Sequence, residues 1–280
     1  MKKEKKSGSG SKLLIIIFII LLFVAGGLFA VKMLKEGNTT ETSNSNSIID
    51  TANEEKKEEI VKTPVTFAGN TRPIAFMIDN NINAMPQAGL EQADLIYEMI
   101  VEGGETRLMI VMKDKDLSKI GPLRSSRHNF LDYALENDAI YVHYGWSPKA
   151  KSDISTLKVN NINGIYESAS SFWRDNTRYA PHNAVTSTKN ILKIAEREEY
   201  RTTTEKKNVL NYVVDEVELE DGEVAENITI PYSYSNTVKY TYDEETKLYT
   251  RYSRNKKQTD WNTGSTVKTK NIIISINRNN

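Results

Sequence analysis

The sequence predicts an α+β protein: an N-terminal transmembrane helix and a flexible tether carry an α/β-type N-terminal domain and a small C-terminal β domain. Three observations lead there. Residues Leu13 to Val31 form an uncharged run of nineteen residues behind a lysine cluster. Between residues 64 and 203, strand-like runs are interleaved with helical ones. From residue 204 onward only strand-like runs recur, with Asp221-Gly222, Asp243-Glu244 and Asn262-Thr263-Gly264 between them.

The apolar run comes first. At about 1.5 Å per residue it just spans a hydrocarbon core of roughly 30 Å. Lys2, Lys3, Lys5, Lys6 and Lys12 precede it, against a single Glu4, while only Lys32 and Lys35 follow closely. The positive-inside rule then leaves residues 1–12 as a cytoplasmic tail, 13–31 as a single-pass anchor and everything later outside the cell. The competing reading is a cleaved signal peptide, whose apolar core is about 7 to 15 residues long. The longer run favours an uncleaved anchor. Residues 32–63 are rich in Asn, Thr, Ser, Glu and Lys, with little to pack, and read as a disordered tether.

The body begins near Pro64. Arg72 to Asp79 reads as a buried strand, followed by a turn-rich segment. Leu95 to Val101 alternates, Gly103-Gly104 follows, and then a second apolar run, which together signal a hairpin. Ser125 to Asn137 reads as a helix and Ala139 to Tyr144 as a strand. Thr186 or Ser187 caps a helix to about Tyr200, with Ile191, Leu192, Ile194 and Ala195 as its apolar face. In the C-terminal region the strand-like runs are 209–214, 228–234, 237–242, 248–252 and 271–276. The chain stops soon after the last, so truncation of this domain is an expectation too.

Composition removes several kinds of chemistry. Lysine plus arginine and aspartate plus glutamate both total 37, so nothing suggests the concentrated basic surface that nucleic acid needs. There is no cysteine, which excludes disulfides, thiolate nucleophiles and cysteine zinc sites. No H-E-x-x-H or H-x-H metal motif appears, nor a G-x-S-x-G elbow or phosphate loop, so no metal or cofactor is expected. Imidazole chemistry has only His128, His143 and His182 to draw on.

Two stretches stand out as candidate sites. In Gly121-Pro122-Leu123-Arg124-Ser125-Ser126-Arg127-His128 a turn leads into the expected helix. Free amides at a helix start favour an anion, and arginine matches phosphate or carboxylate with a planar fork. The competing reading has Ser125 capping the helix while the arginines pair with Glu98, Glu102 or Asp132. The second stretch joins Phe172-Trp173-Arg174-Asp175 to Arg178-Tyr179-Ala180-Pro181-His182-Asn183. Cations, aromatic faces and an imidazole share one loop there, as binding loops often do; simple packing is the alternative. His143 sits at a strand end, where ligands gather in α/β sheets. Glu98 and Glu102 are about 13 Å apart on a strand. That exceeds the roughly 5 to 9.5 Å of a glycosidase pair, which leaves Asp79 as the better single carboxylate.

Several stretches together carry a resemblance. RPIAFMIDN (72–80), PQAGLEQADLIYEMIVEGGETR (86–107), IGPLRSSRHNF (120–130), YVHYGWSPKA (141–150), FWRDNTRYAPHN (172–183) and YTRYSRNKKQTDWNTG (249–264) resemble the YerB-like lipoprotein family, defined by a domain of unknown function. The resemblance implies an α/β-type N-terminal domain and a C-terminal β domain on the outer face of a Gram-positive-type membrane. It implies no activity and no catalytic residues. Family members often carry a lipobox cysteine. Val24-Ala25-Gly26-Gly27 stands where such a box would be, so an intact helix must anchor this chain.

Two functions fit these residues. The leading one is a non-catalytic envelope module that binds an anionic wall polymer, a peptide or a membrane-protein partner. Its ligand-binding residues would be Arg124, Ser125, Ser126, Arg127, His128, Arg174, Arg178, His182 and Asn183. The alternative is a hydrolase-like enzyme acting on cell-wall material, with His143 or His182 as acid/base and Asp79 as orienter.

Overall fold

The computed structural model describes residues 69–214, 217 and 221–276. The expected tail, anchor and tether at 1–12, 13–31 and 32–63 lie outside the described residues. Among the described residues no helix is long and apolar enough to cross a membrane.

A mixed five-stranded sheet organises the larger part of the body. Its strands are β1 (Ile74–Asp79), β2 (Leu95–Ile100), β3 (Thr106–Met112), β4 (Ile140–His143) and β5 (Asn161–Asn163), in the order β2-β3-β1-β4-β5. β1 is central and buried at all six positions, as its unbroken apolar run requires. It pairs antiparallel with β3 along its whole length but parallel with β4 only from Ile74 to Phe76. The second half of β1 is therefore open on that side. Gly103 and Gly104 turn the β2–β3 connection with φ of 68° and 72°, a region that suits glycine.

Helices cover both faces. α1 (Leu131–Glu136) and α2 (Pro148–Thr156) pack Leu131, Ala134 and Ile154 against Ala75, Met77, Met109 and Tyr141. α3 (Thr188–Arg197) packs Ile191, Ile194 and Ala195 against Phe76, Ile78, Leu108 and Val142 on the opposite face. Ser187 caps α3 by accepting from the Asn190 amide at 3.2 Å. A two-stranded ribbon, β6 (Trp173–Arg174) with β7 (Ala184–Val185), precedes α3.

The C-terminal sheet runs β11-β10-β9-β8, from β8 (Asn227–Ser233), β9 (Asn236–Asp243), β10 (Leu248–Ser253) and β11 (Lys256–Lys257), with β12 (Lys268–Thr269) also on β10. The described residues of both sheets belong to one compact unit. Their junction is polar. Arg251 Nη2 donates to Glu98 Oε2 at 2.6 Å, with both side chains over nine-tenths buried. Asn80 Nδ2 donates to Glu98 Oε1 at 3.0 Å and to Thr106 Oγ1 at 2.7 Å, and Asn236 Nδ2 reaches the same hydroxyl at 3.1 Å. Gln258 Nε2 donates to Gln87 Oε1 at 2.8 Å, and Arg254 Nη1 to the Asn80 carbonyl at 3.0 Å. Burial pulls the Arg251 guanidinium down, yet Glu98 and Tyr240 hold it above the ordinary arginine value.

Three expected elements differ. The helix placed at Ser125 begins only at His128, as a 3-10 turn, and becomes α-helical at Leu131. Residues 123 and 126 instead form bridges with Ile78 and Trp146, which take up the backbone groups a helix would need. The runs 209–214 and 271–276 are not strands. Val213, Ile273 and Ile276 are exposed, and apolar β-branched residues make no strand without a ladder partner. Helix α2 went unread because only Ala150 and Ile154 of it are buried, too few to set a clear period.

Removing one member of a buried ion pair strands the other charge, at a cost of about 3–5 kcal/mol. Arg251→Met is expected to lower stability by that order in urea titration. Adding Glu98→Gln should restore a large part of the loss.

Candidate functional site

The open half of β1 is filled by the segment that leaves Gly121. The Asp79 amide donates to the Pro122 carbonyl at 2.8 Å and the Arg124 amide to the Met77 carbonyl at 2.9 Å. On its other side the segment meets residues 184–186, with the Leu123 amide bonded to the Ala184 carbonyl at 2.6 Å. The fit is tight at Gly121, where φ is 138° and a Cβ would lie 2.8 Å from the Ala184 oxygen. This packing delivers Arg124 and the end of the 174–183 loop to the same place, the last residue of β1.

Asp79 is the centre of the cluster. Its side chain is 6% exposed, and its Oδ1 accepts from the Asn81 amide at 3.0 Å. Its Oδ2 receives His182 Nδ1 at 2.7 Å and lies 3.2 Å from Arg124 Nε. Arg107 stands directly across β3 from Asp79 in the strand register, and one of its Nη groups donates to the Ser125 carbonyl. Arg127 Nε donates to Glu102 Oε1 at 2.6 Å and its Nη1 to the Ser126 carbonyl at 2.9 Å.

Three guanidiniums, Arg107, Arg124 and Arg127, thus crowd around two carboxylates. Burial, then the positive charges of Arg127 and Arg124, lower the Arg107 guanidinium to about 10. The hydrogen bond from Arg127 draws the Glu102 carboxyl below its ordinary value. Arg124 and His182 keep 29% and 18% of their side-chain surface exposed. Among the described residues, nothing hydrogen-bonds to His182 Nε2 or to the terminal nitrogens of Arg124. Arg124 and His182 therefore meet on one buried carboxylate oxygen, each with nitrogens that no described residue engages. Among the described residues no group of three or more His, Cys, Asp or Glu could hold a metal ion.

Comparison with known proteins places this chain in a family. The N-terminal domain of a protein of unknown function, DUF3048, matches residues 62–201, and the C-terminal domain of the same family matches residues 228–280. The chain belongs to the DUF3048 family. "Putative lipoprotein YerB" of Bacillus subtilis (strain 168) is 34% identical over 206 residues, which are 72% of this chain and 61% of that protein. This chain therefore spans about 61% of that relative's length. The crystal structure of YerB protein from Bacillus subtilis aligns with a TM-score of 0.64 at 33% identity, over 71% of this chain and 67% of that one. The YerB-like resemblance read from the sequence is thereby shown.

Within this DUF3048 chain the expected site residues separate. Asp79, Arg124 and His182 meet, and Arg127 joins them through its position beside Arg107. The helix-start anion site is corrected: the amides of Arg124 and Ser126 are spent on Met77 and Gly145. Ser125 Oγ donates to the Tyr144 carbonyl at 3.2 Å, and Ser126 Oγ is buried, accepting from the Tyr141 hydroxyl at 2.8 Å. His128 is exposed at the 3-10 turn. Arg178 lies 3.5 Å from the Trp261 ring centroid and donates to the Ala84 and Pro86 carbonyls, so it pins the loop. Asn183 is buried and ties the loop to itself through the Asp175 and Arg178 carbonyls, while exposed Arg174 donates to Asn183 Oδ1 at 3.0 Å. Glu98 belongs to the domain junction, not to Arg124 or Arg127.

His143 stands apart from the cluster. It is fully buried between Tyr141 and Trp146, with Nδ1 2.7 Å from the Gly145 carbonyl and Nε2 3.0 Å from the Asn161 side chain. Arg107 was missed because a charge at the head of an apolar run reads as a strand boundary. Only the β1–β3 register, opposing it to Asp79, marks it out.

Burial lowers the His143 imidazole below 6.5. The unfolded chain then binds the extra proton first, so stability is fullest above about pH 6.5 and declines as pH falls through the folded value. His143→Gln is expected to flatten that part of the stability–pH curve, measured by urea midpoints from pH 7.5 to 5. An unchanged slope would show that His143 does not contribute it.

Proposed function

We propose that this chain is an envelope protein held at the outer face of the membrane, and that its folded body captures an anionic group on Arg124, Arg127 and His182. The anchor is the Leu13–Val31 run with its lysine-rich front end. The relative's lipoprotein name agrees with a membrane-held, extracytoplasmic body, although this chain has no cysteine to carry a lipid. The ligand is a phosphate or carboxylate of a wall polymer or peptide.

One observation carries the reading. Arg124 and His182 converge on Asp79, Arg127 pairs with Glu102 and Arg107 stands opposite Asp79 in the strand register, while among the described residues nothing bonds to His182 Nε2 or to the terminal nitrogens of Arg124. Like charges so close repel one another, and a bound anion relieves that repulsion. Bidentate, charge-assisted contacts suit phosphate and carboxylate alike. Arg107, held against Ser125, contributes field more than contact.

The test is binding of a fluorescent glycerol-phosphate oligomer to the full chain in detergent, with inorganic phosphate as competitor. A charged hydrogen bond contributes about 1.5–3 kcal/mol, so Arg124→Ala and Arg127→Ala should each weaken binding roughly tenfold to a hundredfold. Near-UV circular dichroism should stay unchanged. Binding should also fall as salt is raised. Wild-type affinity in both variants would overturn the site.

A further inference from the structure

We propose that Asp79 and His182 form an acid–base pair that hydrolyses a phosphodiester held on Arg124 and Arg127. This rests on the anion-binding reading and adds chemistry to it. The geometry is specific. Asp79 cannot itself touch a ligand, because its side chain is 6% exposed and both oxygens are engaged. What it does is fix the ring. With Nδ1–H donated to Oδ2 at 2.7 Å, His182 is held in the tautomer whose Nε2 lone pair points away from the carboxylate.

The ring is also held by its loop. The His182 amide donates to the Tyr179 carbonyl at 3.0 Å, and the neighbouring Asn183 side chain clasps the carbonyls of Asp175 and Arg178. Arg178 ties that loop to the Pro86 carbonyl at 2.6 Å. Imidazole and guanidinium therefore meet on one oxygen atom, Asp79 Oδ2. A purely structural His–Asp pair needs neither the second cation on the same oxygen nor an unshared Nε2.

A phosphodiester fits this arrangement better than a carboxylate does. It carries the negative charge the arginines select and a bond that water can break. Its transition state gathers charge on the equatorial oxygens, where guanidiniums stabilise it most. His182 Nε2 takes a proton from water as the water oxygen bonds to phosphorus. The phosphorus–oxygen bond to the leaving alcohol breaks on the opposite side, and the departing oxygen takes a proton from solvent. The imidazolium then returns its proton to solvent. One water is consumed, and a phosphomonoester and an alcohol are released. Asp79 is a positioning residue in this scheme.

The experiment uses the full chain in detergent with bis(p-nitrophenyl) phosphate and the glycerol-phosphate oligomer as substrates. General-base catalysis contributes about 10²–10⁴-fold, so His182→Gln should lose at least a hundredfold in kcat measured at saturating oligomer. Added imidazole should restore turnover to His182→Gly. Asp79→Asn should lower kcat and displace the pH profile, where a merely structural carboxylate would leave the profile in place. If wild type binds the oligomer yet releases no more phosphomonoester than His182→Gln, the catalytic proposal fails and the binding reading stands. If wild type neither binds nor cleaves, both fail.

Discussion

The structure depends on the end of one buried strand. β1 runs through the centre of the sheet, and a strand sends successive side chains to opposite faces. Asp79 therefore continues the Ala75–Met77 face, and Asn80, just past the strand, follows Ile78 to the other. The first residue organises the arginines and His182. The second holds Glu98 and Thr106, the groups on which Arg251 and Asn236 of the C-terminal sheet dock. Two adjacent polar side chains thus serve two assemblies, which touch where Arg178 stacks on Trp261. They can do so only because β3 and the residues after Gly121 fix the strand end from both sides.

The two assemblies use charge differently. At the junction, Arg251 and Glu98 are buried together and every oxygen of Glu98 has a partner. Such a pair adds little net stability over apolar packing, but it penalises any other docking geometry. Around Asp79 the balance is left uneven, with more guanidinium than carboxylate and donors open to solvent. Crowded like charges repel one another, and that surplus is what the anion-binding proposal rests on. Local violations of pairing of this kind are where function is expected.

Much of the scaffold was legible in the sequence. β1, β2, β3 and α3 follow from sustained periodicity, and Ser187 and Gly103-Gly104 mark their boundaries by chemistry that acts within a few residues. Apart from helix α2, the failures depend on distant partners. Ser125 looks like a helix start, but the short β1–β4 pairing leaves backbone groups on β1 that capture residues 122–124 first. The runs 209–214 and 271–276 have the composition of strands and lack a neighbouring ladder. Asp79, Arg124 and His182 were each visible as candidates. Their meeting was not, because His182 and Asp79 lie 103 positions apart and join through loop packing. His143 and His182 are the same residue type, and only the fold separates them: the first is buried on Gly145 and Asn161, the second meets Asp79 at the edge of the site.

The most direct test is amide hydrogen exchange on two variants of the strand end. Asp79→Ala should raise exchange across residues 175–183 and leave the amides of β9 and β10 protected. Asn80→Ala should do the reverse, exposing the β9–β10 amides while the 175–183 loop stays slow. If each variant loosened both regions equally, the strand end would not be separating the two assemblies, and the division of labour between Asp79 and Asn80 would be wrong.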